Sequence, residues 1–314
     1  MSQIRSPQFI VAGRYRLLCQ LGVQAPSAFT QVFLADDLLS GNQVVVKRLA
    51  PWLSRADAQL GRACLERERD FLTTLSHPCL PELLQVFPEQ DGQSPALILR
   101  YVEGYTLDAL LSRRRRELRG KQTLTAFPLT FVLPLGIALS ELLIVLHERQ
   151  PPIIHRDLKP ANIVLDLQGR VHLLDFGNAL PGDFVVRTAF DQRLWKLGSR
   201  GYAAPEQYQT GTPTPQTDLY SLGVVLWTLL TAEAPEQRPQ AQLFRLAPAG
   251  RGPLQPLLAS LLQYQPADRP RSAHLVKSQL EALLHQVCAE GDFPSTAWRQ
   301  EKPLQGEYSP FACL

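Results

Sequence analysis

Cysteine is scarce in this sequence, and its arrangement excludes the structures that cysteine usually builds. The 314 residues include five cysteines, at positions 19, 64, 79, 288 and 313. Their number is odd, they are widely scattered, and no C-x-x-C pair or Cys/His cluster with zinc-ligand spacing occurs. Such an arrangement predicts neither a disulfide framework nor a zinc site. We therefore expect reduced thiols and a cytoplasmic protein.

An excess of either charge is also missing. Lys and Arg together number 32, Asp and Glu number 29, and the formal net charge is +3. A balance this even does not indicate a protein that binds nucleic acid or a membrane surface through its overall charge. We expect no nucleic-acid partner.

Long uninterrupted hydrophobic runs are lacking as well. The longest apolar stretch, residues 129–146, contains Pro134 and Glu141, and it falls short of the about 20 residues that a spanning helix needs. The sequence does not open with a charged segment followed by an apolar one, as a secretory leader does. We expect a buried helix over this stretch and no membrane span.

The remaining composition is that of a folded chain, with 45% hydrophobic residues. Between residues 15 and 101 the apolar runs are short and rich in β-branched or aromatic residues, which predicts five strands, and one helical segment interrupts them near residues 56–75. After residue 104 the pattern changes to long amphipathic stretches that are typical of helices. The sequence therefore predicts an α+β fold, with a small β-rich lobe before a larger α-helical one.

The segment IIHRDLKPANIVLD carries the strongest chemical signal. Asp157, Lys159 and Asn162 supply a carboxylate, a cation and an amide within six residues, and a second apolar strand, in HLLDFGNA, ends at Asp175. A carboxylate and an amide at neighbouring strand ends provide the hard oxygen ligands that Mg²⁺ takes when it bridges phosphates. Either aspartate alone is equally consistent with an Asx turn or a cap. The assembled set favours a phosphate and metal site.

These motifs identify a family resemblance. HRDLKPAN, DFG at residues 175–177 and APE at residues 204–206 occur in the order and spacing of the protein-kinase signature. Over residues 14–285 the sequence resembles a eukaryotic-type Ser/Thr protein kinase, and GYAAPEQY and TDLYSLG resemble the bacterial branch. The resemblance implies a bilobal protein-kinase-like fold. We predict a lead-in at 1–13, the N-lobe at 14–98, a hinge at 99–104, the C-lobe at 105–288 and a tail at 289–314.

The resemblance also implies the chemistry, which is transfer of the γ-phosphate of ATP to serine or threonine hydroxyls of protein substrates. Asp157 accepts or orients the hydroxyl, and Lys159 steadies the γ-phosphate. Asn162 and Asp175 hold Mg²⁺, for which Mn²⁺ is an alternative. Lys159, in DLKPAN, resembles the Ser/Thr subgroup rather than the tyrosine-specific one.

Helical periodicity selects a partner for the lysine of VVVK, Lys47. Glu68 lies on the face of the predicted helix that carries apolar residues four before it and three and four after it, so its carboxylate points inward. A carboxylate on an apolar face needs a partner, and Lys47 fits. Glu66 is the rival carboxylate, but it lies off that face. The resemblance implies the same ion pair, which directs Lys47 to the ATP phosphates.

The resemblance assigns the other ATP contacts to the glycine-rich loop, the strands and the hinge segment LILRYVEG. Leu99 is the gatekeeper, Val102 offers backbone groups to adenine, and Arg100 replaces the usual acidic residue. The full set of these expected contacts is Leu21, Gly22, Val32, Val45, Leu99, Arg100 and Val102.

The glycine-rich loop is where the sequence departs from the family. The family pattern is G-x-G-x-x-G, but LGVQAPSAFTQV keeps only Gly22, has Ser27 and Thr30 at the other glycine positions, and contains about three extra residues. Phe29 aligns with the aromatic tip of the loop. Because glycine lets backbone N–H groups approach phosphate, we predict roughly ten-fold weaker ATP binding.

This departure leaves two alternatives open beside the kinase interpretation. One is a pseudokinase that acts as a nucleotide-binding or scaffold module. The other is a small-molecule kinase on a related fold, which the APE segment disfavours.

The resemblance further implies structural and regulatory roles. Asp218 anchors the catalytic loop, and Arg269 pairs with Glu206. Arg156 meets a phosphate on the activation loop, with Thr188 as the acceptor. A loop that is ordered without phosphate is the equally weighted alternative.

The arginine run at residues 113–116 is the one concentrated basic patch. It indicates either a solvated helix end or a docking patch for an acidic partner.

Overall fold

The structure, a computed structural model, describes residues 10–22, 29–89, 94–118, 126–209, 212–235 and 252–290. The chain forms two compact units, the first ending at Glu103 and the second beginning at Gly104. The first unit is built around a sheet and the second is largely helical, so the predicted α+β class and the order of its two parts are confirmed. Most of the predicted lead-in and tail lies outside the described residues, and the predicted domain boundaries stay predictions.

One antiparallel sheet and one helix form the first unit. The six strands lie in the order β1-β2-β3-β4-β6-β5, one more than the sequence predicts because a two-residue strand, β1, pairs with β2. The glycine of the LLSGN turn between β3 and β4, Gly41, has φ 73°, which suits glycine. The elements are β1 (Ile10–Val11), β2 (Tyr15–Gln20), β3 (Thr30–Asp37), β4 (Gln43–Leu49), α1 (Arg55–Thr74), β5 (Leu83–Phe87) and β6 (Ala96–Arg100).

The alternation of side chains along β4 sets the two faces of this sheet. Val44 and Val46 are buried in a cluster with Tyr15, Ala35 and neighbouring strand residues. Because successive residues of a strand face opposite sides, Val45 and Lys47 lie on the other face. Helix α1, capped by Ser54 through a 3.2 Å hydrogen bond from the Asp57 backbone N–H, packs against the sheet.

Helices and short strands form the second unit. The strands are β7 (Gly104–Thr106), β8 (Ile153–Ile154), β9 (Ile163–Asp166), β10 (Val171–Leu173) and β11 (Leu180–Pro181), with β10-β9-β7 and β11-β8 as two small sheets. The described helices are α2 (Leu107–Leu118), α3 (Leu129–His147), α4 (Ala189–Trp195), α5 (Pro215–Thr231), α6 (Gln255–Leu261) and α7 (Ala273–Glu290). At Gly104 a Cβ atom would lie 2.3 Å from the Leu165 carbonyl oxygen, so only glycine allows β7 to approach β9 this closely.

Helix α3 is apolar almost all round and packs against α5 and α7. It spans 19 residues, and in the part of the chain that the structure describes it alone is long and apolar enough to cross a membrane. The sequence interpretation of this stretch as too short is therefore wrong about the length. Of its most apolar 18-residue window, 56% is buried within the protein, as expected of a core helix; the absence of a membrane span stays a prediction.

Candidate active site

The loop between β8 and β9 is anchored by a buried carboxylate from α5. Asp218 is fully buried, and its two oxygens accept the backbone N–H groups of His155 at 2.9 Å and Arg156 at 2.8 Å. Nε2 of His147 lies 2.9 Å from Oδ2 of Asp218. Burial raises the pKa of Asp218, but the hydrogen bond from His147 and the other donors outweigh burial and hold the pKa below its usual range. The structure thus brings Asp218 to the catalytic loop, as predicted for an anchor.

Asp157 projects from this loop and is held by three donors. Nζ of Lys159 lies 2.9 Å from Oδ2, Nδ2 of Asn162 lies 3.2 Å from the same oxygen, and the Ser199 backbone N–H donates to Oδ1 at 3.1 Å. Lys159 also donates to the Ser199 hydroxyl at 2.6 Å. A carboxylate offers about four acceptor sites, so one remains for a further hydroxyl donor. The three residues that the sequence grouped within one segment do lie together around this carboxylate.

The His155 ring fixes the loop from the other side. Its Nε2 lies 3.1 Å from the Leu174 carbonyl oxygen, and its Nδ1 accepts the Asp157 backbone N–H at 3.4 Å. The ring also packs edge-to-face on Phe176, with 4.9 Å between centroids. These contacts hold the ring in place beside the catalytic loop.

Asn162 and Asp175 lie beside the ends of two neighbouring strands, β9 and β10. Asn162 directly precedes β9, Asp175 follows β10 by two residues, and the Leu174 backbone N–H donates to the Asn162 carbonyl at 2.8 Å. Because Nδ2 of Asn162 donates to the Asp157 backbone carbonyl at 2.9 Å, the amide oxygen of Asn162 is turned away from that contact. One amide oxygen and one carboxylate fit Mg²⁺, which takes few protein ligands and completes its shell with phosphate and water. Among the described residues, no group of three or more His, Cys, Asp or Glu side chains is arranged so that it could hold a metal ion.

In the first unit, the predicted partners Lys47 and Glu68 form an ion pair. Nζ of Lys47 lies 2.6 Å from Oε2 of Glu68, and the two side chains are 5% and 0% exposed. Lys47 lies opposite Val32 in the register of β3 and β4, and Val45 lies opposite Leu99 in that of β4 and β6. Strand pairing therefore places Val32 beside Lys47, and it places Leu99 beside Val45, two residues before Lys47 on β4.

The remaining predicted ATP contacts lie at the ends of the strands of this unit. The Leu21 backbone N–H donates to the Val32 carbonyl at 2.8 Å, and Gly22 has φ 74°. Arg100 ends β6 with its side chain exposed and paired to Glu82, and Val102 follows it in irregular backbone. Residues 23–28, which carry most of the altered glycine pattern, lie outside the described residues.

Phe29 directly precedes β3. Its carbonyl accepts the Ala50 backbone N–H at 2.9 Å, which extends the β3–β4 ladder by one residue. Its Cβ lies 3.1 Å from the point that a Cβ on Gly61 of α1 would occupy. Packing on the helix and strand pairing therefore fix Phe29, and because residues 23–28 lie outside the described residues, its alignment with the aromatic tip stays a prediction.

Comparison with known proteins settles the family. The model of the family described as "Protein kinase domain" matches residues 26–280. This chain belongs to the protein kinase family. It is 30% identical over 226 residues to serine/threonine-protein kinase PrkC of Bacillus subtilis, covering 72% of this chain and 31% of that protein. It is 30% identical over 304 residues to serine/threonine-protein kinase C of Synechocystis, covering 92% and 54%.

A third relative is serine/threonine-protein kinase PknD of Chlamydia trachomatis. The identity is 27% over 329 aligned residues, covering 95% of this chain and 34% of that protein. This kinase chain therefore spans between 31% and 54% of the length of these three relatives.

In this kinase, Arg156 and Thr188 contact different parts of the activation segment. The buried Arg156 guanidinium donates to backbone carbonyls, including that of Leu197 at 3.3 Å. Thr188 is the N-cap of α4, where its hydroxyl accepts the Asp191 backbone N–H at 3.1 Å and the Asp191 carboxylate accepts the Thr188 N–H at 2.9 Å. These contacts are with other residues, and the choice between a phosphate-dependent and a phosphate-independent activation segment stays a prediction.

The APE segment is tied to the helical core of the kinase by Glu206 and Arg269. Their bidentate contacts measure 2.7 and 2.8 Å, and Arg269 also donates to three backbone carbonyls. The pair that the resemblance implied is present.

Sequence reasoning missed Gln207. Its side chain is fully buried, and Nε2 donates to the carbonyls of Arg156 at 3.0 Å and Leu197 at 3.2 Å. It thereby connects the catalytic loop to the activation segment. No periodicity marks it, and its position directly after APE was the one signal available.

The arginines at the end of α2 contact backbone carbonyls and a carboxylate of the helical unit. Arg115 donates to the carbonyls of Ala232 at 2.6 Å and Glu233 at 3.2 Å, where α5 ends. Arg114 donates to the Ala126 carbonyl at 2.5 Å, and Arg113 pairs with Glu117 at 2.9 Å. These contacts favour the helix-end interpretation over a docking patch.

Proposed function

We propose that this protein transfers the γ-phosphate of ATP to serine and threonine hydroxyls of protein substrates. The observation that carries the proposal is the Asp157 carboxylate, held by Lys159, Asn162 and the Ser199 backbone with one acceptor site left. The relatives of this chain are named serine/threonine-protein kinases, which supports the same activity. A role in signalling and a cytoplasmic location remain parts of the proposal.

In the proposed reaction, Asp157 orients the substrate hydroxyl through its remaining acceptor site. The bond from the hydroxyl oxygen to the γ-phosphorus forms while the bond from that phosphorus to the β–γ bridging oxygen breaks. The hydroxyl proton passes to the Asp157 carboxylate, and the leaving ADP takes the bridging electron pair. Lys159 lies on the same carboxylate, so its ammonium group is placed to stabilise the transferred phosphoryl group.

Asn162 and Asp175 would hold Mg²⁺, or Mn²⁺ in its place, through the amide oxygen and the carboxylate. When bound, such an ion neutralises the charge of the phosphates. In the other unit, the buried carboxylate of Glu68 orients Lys47, as binding of the α- and β-phosphates requires.

The test is incubation of the purified full chain with labelled ATP, magnesium and a generic acceptor protein, followed by mass spectrometry of the modified residues. We expect phosphoserine and phosphothreonine. Asp157→Asn should fold, bind ATP and lose about 10²- to 10⁴-fold in transfer rate, because the carboxylate serves the hydroxyl and not the nucleotide. Asp268→Asn is the matched control, since this carboxyl is exposed in a surface turn, and it should transfer phosphate at the wild-type rate.

The pseudokinase alternative depends on residues 23–28, which the structure does not describe. The pseudokinase alternative would be supported if the wild-type chain transferred no phosphate at millimolar ATP with magnesium. Phosphate transfer by Asp157→Asn at the wild-type rate would refute the assignment of the hydroxyl-binding carboxylate.

A further inference from the structure

The backbone of Arg156 sets the direction of Asp157 and is itself held in a disfavoured conformation. Its φ is 64°, a left-handed value that is unfavourable for a residue with a Cβ atom. Such a residue persists where its surroundings determine it. The Arg156 N–H is fixed by Asp218 at 2.8 Å, and its carbonyl accepts from Gln207 Nε2 at 3.0 Å. Because Asp157 is the next residue, any rotation at Arg156 moves the catalytic carboxylate.

The side chain of Arg156 is held by the activation segment. It is 1% exposed. Nη1 donates to the Asn178 carbonyl at 3.2 Å, Nη2 donates to the Leu197 carbonyl at 3.3 Å, and Nη2 also contacts the Trp195 carbonyl. All three of these acceptors are backbone carbonyls.

The indole ring of Trp195 faces the guanidinium of Arg156. The guanidinium carbon of Arg156 lies 5.0 Å from the ring centroid, within the range of a cation–π interaction, which is strongest when the pair is desolvated. Trp195 is fully buried, and its Nε1 donates to the Gln209 carbonyl. The ring is therefore fixed by its own hydrogen bond and presents its face to the buried guanidinium.

We propose that Trp195 is a positioning residue for Asp157. Its indole ring holds the Arg156 guanidinium, the guanidinium holds the left-handed backbone of Arg156, and that backbone aims the carboxylate at the substrate hydroxyl. This role rests on the proposed kinase function. It also means that the catalytic loop is ordered without a phosphate on the activation segment, since the arginine that would bind a phosphate is already engaged.

The test compares Trp195→Leu, which removes the aromatic face, with Trp195→Phe, which keeps a face and loses the N–H. All proteins are full chains treated with phosphatase, and mass spectrometry confirms that they carry no phosphate before the assay. We expect Trp195→Leu to lower kcat about 30-fold with the KM for ATP nearly unchanged. That loss corresponds to about 2 kcal/mol of desolvated cation–π attraction at tenfold per 1.4 kcal/mol. Trp195→Phe should stay within about three-fold of the wild type.

Hydrogen exchange provides a readout that needs no catalysis. In Trp195→Leu the amides of residues 155–158 should exchange faster, and in Trp195→Phe they should stay protected. Trp227→Leu is the matched control, because Trp227 of α5 is 1% exposed. It should lose thermal stability like Trp195→Leu but keep kcat and the protection of residues 155–158.

Three results would overturn the proposal. One is wild-type kcat and unchanged exchange in Trp195→Leu. Another is an equal loss in Trp195→Phe, which would assign the effect to the Gln209 hydrogen bond and not to the ring face. The third is a dephosphorylated wild type that is inactive until a phosphate is restored at Thr188. A chain that transfers no phosphate in any state would refute the proposed function instead, and the exchange data would still decide whether Trp195 orders the loop.

Discussion

The Lys47–Glu68 ion pair allows the stability of the first unit to be separated from nucleotide binding. The perturbation is a double-mutant cycle of Lys47→Met, Glu68→Met and the combination of both. Methionine is unbranched and has a volume close to that of either side chain, so the packing of α1 on the sheet is largely kept. Each single change removes one partner of the ion pair and keeps the other charge, whereas the double change removes both charges.

The magnitude follows from the geometry of the pair. The two side chains are 5% and 0% exposed, and Nζ and Oε2 are 2.6 Å apart. Removing one partner of such a pair costs about 3–5 kcal/mol, because an uncompensated charge stays buried, whereas replacing both partners by apolar groups is often close to neutral. We expect each single variant to lose about 3–5 kcal/mol and the double variant to be more stable than either.

The assay is urea unfolding of the four proteins, together with binding of ATP in the presence of magnesium. Lys47→Met and the double variant should bind ATP more weakly than the wild type, because no cation remains at position 47. Glu68→Met should also bind ATP more weakly, because Lys47 has lost the carboxylate that orients it. Arg62→Met and Glu89→Met form the control cycle. Arg62 lies on α1 and Glu89 follows β5, and because the two side chains are 38% and 50% exposed, the effects of the two changes should be nearly additive. Additive losses at Lys47 and Glu68 would refute the reasoning from burial, and wild-type ATP affinity of the double variant would refute the role of Lys47.

Two further sites give expectations that can be measured directly. Asp218→Asn should lower kcat more than it changes the KM for ATP, which steady-state kinetics would measure. It should also lower the free energy of unfolding by about 1–3 kcal/mol, because the amide group leaves a buried backbone donor without its acceptor; urea unfolding tests this. The folded-state pKa of Asp218 is lowered, so its contribution to stability is present above the normal carboxyl range and lost as pH falls through that range and below it. Urea midpoints should therefore fall less steeply below about pH 4 in Asp218→Asn than in the wild type, and equal slopes would contradict this sign. Replacing residues 23–28 with a short glycine-rich loop should lower the KM for ATP roughly ten-fold. Phe29 is kept because its carbonyl accepts the Ala50 backbone N–H. An unchanged KM in a folded variant would show that the native loop makes as many contacts to phosphate as the glycine-rich one.

Much of the site could be predicted because the residues that form it lie in short contiguous segments of the sequence. Asp157, Lys159 and Asn162 lie within one loop, so the local chain alone brings their side chains together. Glu68 could be assigned because a helix repeats every 3.6 residues and a carboxylate on the apolar face needs a buried cation. In these cases one local period or one loop determines the neighbours.

The partners of Arg156 and Gln207 were decided by tertiary structure alone. Both side chains bind backbone carbonyls of the activation segment, and every residue type has the same carbonyl group, so no sequence pattern marks the acceptor. The same applies to Arg115, which donates to a carbonyl at the end of α5. From the sequence alone, the arginine run at residues 113–116 was therefore consistent with either a helix end or a docking patch. Whether a cation meets a phosphate, a carboxylate or a set of peptide dipoles depends on how distant segments pack, and the fold, not the composition of the segment, fixes that choice.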